Sequence, residues 1–463
     1  MIYVIVGGGI AGVSCVRRLL VSLDDTDDNI VLVSAGKRVK TVHNWTKVGQ
    51  YTEQFDVSED ETVSDDPRLS HIQAEVVGWS HEKKELYLDN QKEPLKYDRL
   101  CIATGANAIS PFSNKKVVTI RDTESAEQLQ KRLKGAKHVA VVGNGGIATE
   151  VVFEMVGVAI TWIIRDNTIS SVFFTPKFSE FFRKRMAEGR LAGAKNAGIL
   201  RRLRYSLDNK SAGDAVAHSV AGSALGPDWI SSLSFEKNAD RSVKVIPHAE
   251  VCDVTDENDG LKLSLTNGES VLCDFAIWAT GVIPSTSIWK ENCPELEISS
   301  VDGGIIVDDV LRTSIPDVYA CGDVCTPVLS KPSPYWKQIR LWTQARQMGD
   351  FCARSMLANG AVEVDFSFEL FTHTTTFFGY KIVFLGDFKG ERQPQGWYTI
   401  ERVVGDDQFV QCIMFEHRVV GAILVGETDL EETIENLILN KINLEGIEED
   451  FLDPNIDIED YFD

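Results

Sequence analysis

The chain has no Cys-x-x-Cys pair. Its nine cysteines are an odd number, without the spacing of a disulphide framework or of a zinc site. Reduced thiols in a reducing compartment are the expectation. No uninterrupted apolar stretch reaches the length of a membrane-spanning helix. A strand pattern begins at residue 2, so no N-terminal targeting segment is expected, and the expected location is cytoplasmic and nuclear. Positive charge is also short: 47 Lys and Arg against 69 Asp and Glu leave a net charge of -22, which argues against general nucleic-acid affinity though not against a local basic patch. Short-period repeats and low-complexity tracts are missing too. What is present is a chain of 463 residues with 43% apolar side chains, enough to bury two or three cores.

Two glycine fingerprints stand out. Gly7-Gly8-Gly9-Ile10-Ala11-Gly12 follows the apolar run Ile2 to Val6 and precedes a helix-periodic segment from Val13 to Leu23. In this strand, turn and helix context Gly7 permits the turn, Gly9 removes a side chain that would block a pyrophosphate, and Gly12 lets the helix pack close to the strand. The first N–H groups of the helix then meet the negative charge. Gly143-Asn144-Gly145-Gly146-Ile147-Ala148 repeats the pattern after His138 to Val142, with Ala148 in the third position. Two such sites imply two dinucleotides and electron transfer between them.

From residue 1 to about 165 strand-like and helix-like segments alternate, which predicts doubly wound parallel sheet. Two apolar strands close alike, in Ala103-Thr104-Gly105 and Ala279-Thr280-Gly281. That ending brings backbone near something that tolerates no side chain, and its recurrence predicts that the chain leaves the first domain and returns. A third strand ends in Cys321-Gly322-Asp323, where the carboxylate suits a sugar-like hydroxyl or, alternatively, caps a helix.

In this order, the motifs resemble the pyridine nucleotide-disulphide oxidoreductase family of class I flavoproteins. The resemblance implies an α/β fold with two Rossmann-like domains and a C-terminal α+β domain. It implies a discontinuous FAD domain (1–115 and 270–360), an NAD(P)H domain (116–269) and an interface-type domain (361–463), in which 381–386, 408–415 and 418–425 read as strands. It places FAD on Gly7, Gly9 and Gly12, with Thr104, Gly105, Gly281 and Gly322 nearby and Asp323 on the ribityl chain. NADH or NADPH falls to Gly143, Gly145 and Ala148. Glu150 matches the family's acid beyond the second fingerprint, expected to pair with a lysine beside the flavin, Lys40 first and Lys47 second. Leu341-Trp342 matches the helix start under the flavin pyrimidine, where the helix dipole favours the charge of reduced flavin.

The departures are as informative. Ser34 replaces the acid expected to bind the adenosine ribose. After Ile160 to Ile163 come Ile164, Arg165 and Asp166, where an acid favours NADH and a base favours the 2′-phosphate of NADPH, so the nucleotide stays open. Residues 36–47 carry no cysteine, so the usual disulphide route is absent, and the family's C-terminal His-Pro pair is missing. Cys321 and Cys325 at i, i+4 are the alternative dithiol, though Cys321 also suits a buried strand position. His43 and His373 are alternative acid/base groups.

Two segments exceed a minimal reductase. Residues 177–210 carry a local charge of +7 inside an insertion running to about 242, either a solvated loop or a docking surface for RNA or an acidic partner. Near the end, Thr428 to Glu431 reads as a capping box before the apolar stripe Leu430, Ile434, Leu437 and Ile438. The acidic and aromatic ending from Asp453 to Asp463 suits a basic groove in this chain or another. The missing cysteines, the insertion and this ending are similar to one animal subfamily. That likeness implies an FAD protein that oxidises NADH or NADPH slowly and protects the RtcB-type tRNA ligase from oxidative inactivation. A nucleotide-sensing binding module with incidental turnover is the alternative expectation.

Overall fold

The computed structural model describes residues 1–23, 27–120, 123–155, 157–188, 242–448 and 450–453. Most of the basic insertion and the acidic ending from 454 onward therefore lie outside the described residues. The chain forms two compact units, 1–107 with 282–375 and 382–463, and 108–281 with 376–381.

The first unit is built on a parallel sheet in the order Val318–Ala320, Arg99–Ile102, Ile2–Val6, Asn29–Ser34 and Leu69–Gln73. Its inner strands are short runs of β-branched and aliphatic residues with both faces buried, as a sheet covered by helices requires. The fingerprint strand lies inside the sheet, with its sequence neighbour on one side and Arg99–Ile102 on the other. This reversal of winding opens a crevice at the carboxyl ends of the strands. The helix Ile10–Ser22 covers the sheet, packed against the helix Trp342–Leu357. Residues 318–320 return to the edge of this sheet, whereas the strand before Ala279-Thr280-Gly281 pairs within the second unit, so that ending does not mark the return.

The second unit repeats the plan. Its parallel sheet runs Val117–Thr119, Phe275–Trp278, His138–Val142, Ala159–Ile163 and Ser242–Ile246. In each unit a three-stranded antiparallel meander precedes the strand that ends in Ala-Thr-Gly: residues 76–96 in the first and 251–273 in the second. The helix Pro176–Glu188 joins the second unit through Phe178 and Phe182, which with Phe173 and Phe174 gather Phe377, Phe378 and Tyr380 into one aromatic cluster. This explains why 376–381 belong to the second unit.

The C-terminal region of the first unit is an antiparallel sheet in the order Thr372–Phe377, Tyr380–Gly386, Arg418–Val425, Gln408–Phe415 and Tyr398–Val404. The helix Glu431–Leu439 docks Ile434, Leu437 and Ile438 into its core. The expected capping box does not form. The N-cap is Leu430, and the Thr428 hydroxyl is buried without a partner.

Two polar ties fix this region to the nucleotide domain. Glu435 is fully buried, and its carboxylate accepts from the Tyr51 N–H at 2.6 Å, the Thr52 N–H at 3.0 Å and the Thr52 hydroxyl at 2.6 Å. Three charge-assisted bonds offset much of the cost of burying that carboxylate. The second tie joins His373 to Thr343 in the first turn of the helix Trp342–Leu357, with 3.0 Å between Nδ1 and Oγ1. The His373 ring also stacks on Phe384 at 6.1 Å. Burial pushes the imidazole down to about 3. It is therefore neutral at physiological pH, and the Thr343 contact is a hydrogen bond between a hydroxyl and an uncharged ring.

This sets a pH dependence. The unfolded chain protonates His373 near its ordinary value of about 6.5, whereas the folded chain does so only near 3, so stability falls as pH drops through that window. The expected slope from this group is about 1.4 kcal/mol per pH unit. Replacement of His373 by Phe should lower stability at pH 7 by roughly 1 kcal/mol through loss of the Thr343 bond, yet flatten the acid limb of the denaturation midpoint against pH. Parallel acid limbs in the two proteins would contradict the assignment.

Candidate functional site

Each fingerprint forms a cradle from backbone alone. In the first, Gly7 has φ +128°, and a Cβ there would stand 2.1 Å from the Ala103 carbonyl oxygen. A Cβ on Gly12 would stand 2.0 Å from the Gly7 oxygen. Strand end, turn and helix are thus pressed together as closely as main chain permits. Gly9 differs, because a Cβ added there meets nothing within 4 Å. The second cradle matches: Gly143 has φ +127° and lies against the Ala279 oxygen, 2.2 Å from an added Cβ, while Gly145 faces open space. Ala148 is fully buried, so the third position of this copy has room for one methyl.

The helix starts support the same reading. Gly9 and Gly145 are the N-caps of Ile10–Ser22 and Gly146–Glu154, and Leu341 is that of Trp342–Leu357. None makes a side-chain cap, and none of the three helices has an acid in its first turn. Natural helices usually satisfy their first N–H groups with Ser, Thr, Asp or Asn. Three uncapped starts are poised for bound anions, and the open space at Gly9 and Gly145 has the shape a pyrophosphate needs. The residues fit two dinucleotides.

Around the first cradle the structure gathers several of the expected residues. The Lys40 N–H donates to the Gly8 oxygen at 2.8 Å, and its Nζ lies 5.5 Å from the centre of the Trp342 ring. Lys47 instead lines a separate cleft of about 310 Å³ with Trp45, Tyr51, Glu53, Arg346 and Phe366. Gly322 has φ +76° and packs on the Ala11 methyl, bringing its strand end onto the fingerprint helix. Asp323 lies inside the 3-10 turn Gly322–Val324, whose N-cap is Cys321, so the capping alternative does not hold. Gly105 has φ +68° and faces open space. Thr104 is a tie between segments: its hydroxyl donates to the Ser285 oxygen at 3.1 Å and lies 3.3 Å from the Trp289 indole N–H. Ser34 ends its strand buried, with Oγ 2.8 Å from the Gly36 oxygen and 2.7 Å from His71 Nε2. Burial lowers the His71 value, which favours a neutral ring.

In the second unit Glu150 is buried in Gly146–Glu154, and Gly281 has φ +132° beside open space. Arg165 is exposed just beyond Ala159–Ile163. Asp166 turns toward the fingerprint, where its carboxylate accepts from Asn144 Nδ2 at 2.9 Å. Asn144 also donates to the Thr168 oxygen at 2.8 Å and accepts the Ser170 N–H at 2.5 Å, so it organises the loop after the second strand. Its place among three glycines was the signal. Gln344 is a second organiser missed in the sequence. It accepts the Ile339 N–H at 2.8 Å and donates to the Lys337 oxygen at 2.7 Å, shaping the approach to Leu341.

Sulphur stands elsewhere. All nine cysteines are free, and only Cys252 is exposed. Cys321 Sγ lies 3.5 Å from Cys101, which is 3.6 Å from Cys352, whereas Cys325 contacts the Gly322 oxygen. Desolvation pushes the Cys325 thiol well up, and Cys321 is raised first by its contact with Cys101. These thiols sit in the apolar core, and Cys321 and Cys325 do not face each other as a dithiol. His43 is exposed on a hairpin, bonded to Thr41 and Asp60.

Comparison with known proteins agrees. The family described as "Pyridine nucleotide-disulphide oxidoreductase" matches residues 1–197 and 225–349. The chain is 38% identical to mouse pyridine nucleotide-disulfide oxidoreductase domain-containing protein 1, covering all of this chain and 98% of that one. It is also 38% identical to the Drosophila melanogaster protein of that name, covering all of this chain and 99% of the other. Its fold is that of a ferredoxin reductase from Rhodopseudomonas palustris, with TM-score 0.67, 18% identity and 99% of each chain covered. A water-forming NADH oxidase from Lactobacillus brevis superposes with TM-score 0.67 at 17% identity, over 96% of this chain and 92% of that one. The protein is an FAD-dependent pyridine nucleotide oxidoreductase that uses FAD and NAD(P)H and lacks the redox cysteine pair of a disulphide reductase. Its backbone cradles, its doubled topology and these likenesses together place the chain in the pyridine nucleotide-disulphide oxidoreductase family.

Proposed function

We propose that the first cradle holds FAD, that the second holds NADH or NADPH, and that reoxidation is slow because no thiol relay follows. The observation that carries this reading is the pair of matched cradles with no cysteine in residues 36–47. Bound together, the two cofactors supply hydride transfer from the nicotinamide to the isoalloxazine ring. The protein's own part is binding, orientation and charge. The uncapped starts at Gly9 and Gly145 hold the pyrophosphates, and the one at Leu341 offers positive potential to developing negative charge. Lys40, fixed by its backbone bond to Gly8 and by the Trp342 ring, supplies a second positive charge there.

The likeness to the animal subfamily supports a further part of the proposal: the chain acts in cytoplasm and nucleus with an RtcB-type tRNA ligase and protects it from oxidative inactivation. The near-complete mutual coverage with the mouse and fly proteins supports comparing whole proteins. A second reading, a nucleotide-sensing binding module with incidental turnover, is favoured by the burial of every cysteine except Cys252.

Four outcomes follow. Gly9→Ala should fold normally, since the added methyl meets no protein atom, yet lose most of its FAD. Gly145→Ala should keep FAD and weaken nicotinamide binding roughly tenfold or more, read by flavin absorbance and by titration with NADH and NADPH. Retention of normal affinity for both cofactors would overturn the cradle assignment. In air, NADH or NADPH should bleach the flavin, with slow reoxidation and several turnovers. A long-lived charge-transfer band without turnover would favour the sensor reading. Finally, aerobic inactivation of an RtcB-type ligase should slow when the protein and reduced nicotinamide are both present. An unchanged inactivation rate would remove the partner from the proposal and leave the flavin chemistry intact.

A further inference from the structure

The meander and the loop after the helix Ser287–Asn292 bring together His81, Cys293 and Glu295, whose nitrogen, sulphur and oxygen ligand atoms all lie within 4.8 Å of one another. The group belongs wholly to the first unit and includes no residue placed in the dinucleotide cradles. His81 is half-buried, Cys293 fully buried and Glu295 exposed, so the set opens to solvent on one side.

Both carriers are rigid. Trp79, two residues before His81, is packed edge-on against Trp289 at 5.5 Å and donates its indole N–H to the Tyr97 hydroxyl at 2.9 Å. The His81 ring stands edge-on to Trp79 at 5.9 Å. On the other side, Lys290 Nζ clasps the carbonyls of Pro294 at 2.7 Å and Leu296 at 2.8 Å. Ser314 adds a bridge, donating to the Glu295 oxygen and accepting the Glu297 N–H, each at 3.1 Å. The loop that presents Cys293 and Glu295 is thus held by side chains that are not themselves ligands.

The donor set has a definite chemistry. Cys293 Sγ already lies 3.5 Å from Glu295 Oε2, close to the edge of a tetrahedron with zinc-length bonds, about 3.5 Å. Sulphur and imidazole exclude the all-oxygen preference of calcium and magnesium and suit zinc-class ions. A thiolate and a carboxylate with a neutral imidazole carry two negative charges, so a divalent cation neutralises the set. We propose that His81, Cys293 and Glu295 form a surface binding site for Zn2+ or a similar divalent ion, with the fourth position left to water, clipping the Trp79 turn to the 293–297 loop. On binding, the Cys293 S–H bond breaks, its proton passes to solvent, and a metal–sulphur bond forms with no change of oxidation state.

The test uses the flavin-loaded full chain, treated with a chelator, dialysed and titrated with CoCl2 alone. One cobalt per chain should bind, giving tetrahedral d–d bands at wavelengths beyond the flavin absorption, and ZnCl2 should displace it. Apparent affinity should rise with pH as the thiol proton is released. Glu295→Gln, at an exposed position that does not threaten folding, should weaken binding roughly tenfold or more. Cys293→Ser should abolish the tetrahedral spectrum, and Cys252→Ser should leave it unchanged. Failure to bind one cobalt per chain, or a spectrum that survives both Cys293→Ser and Glu295→Gln, would overturn the site.

Discussion

The fold depends on main chain touching main chain. At Gly7 and Gly143 a turn is pressed onto the carbonyl of a neighbouring strand end with no space for a Cβ, and the same contact recurs in both units at nearly equal φ. Everything functional is registered to those contacts. They set where each helix starts, and therefore where its unpaired N–H groups point. They also fix the carboxyl ends of the parallel strands, where Gly105 in the first unit and Gly281 in the second each face open space.

One design serves two purposes through small differences. The first helix cannot accept a methyl at its third fingerprint position, whereas the second carries Ala148 there without exposure. The first unit adds a second helix start, at Leu341, whose first turn is anchored by Gln344 and by the neutral His373. The second instead spends Asn144 and Asp166 on ordering the loop after its second strand. Residues 36–47 carry no cysteine, Lys40 stands over the Trp342 ring, and every cysteine but Cys252 is buried.

The fold class was legible because glycine patterns and apolar runs are local. Tyr380–Gly386, Gln408–Phe415 and Arg418–Val425 are strands within one residue of the sequence boundaries. The capping box at Thr428 was not, because that hydroxyl is buried and the helix begins at Glu431, after an N-cap at Leu430. The glycines of the cradles could be read from spacing. The nearness of Lys40 to Trp342 could not, because it arises from segments some three hundred positions apart. For the same reason the i, i+4 spacing pairs Cys321 with Cys325, whereas the fold sets it beside Cys101. Glu435 and the His81 group were equally silent, since nothing beside them in the chain announces a partner.

The three helix starts without caps have a cost when the cofactors are missing. Their first backbone donors have no partner within the helix and no side-chain cap, and a ligand that completes them binds only the folded chain. Vitamin supply thereby becomes a term in this protein's lifetime: a cell short of riboflavin holds more of the chain in its less stable apo form, and proteolysis removes that form first.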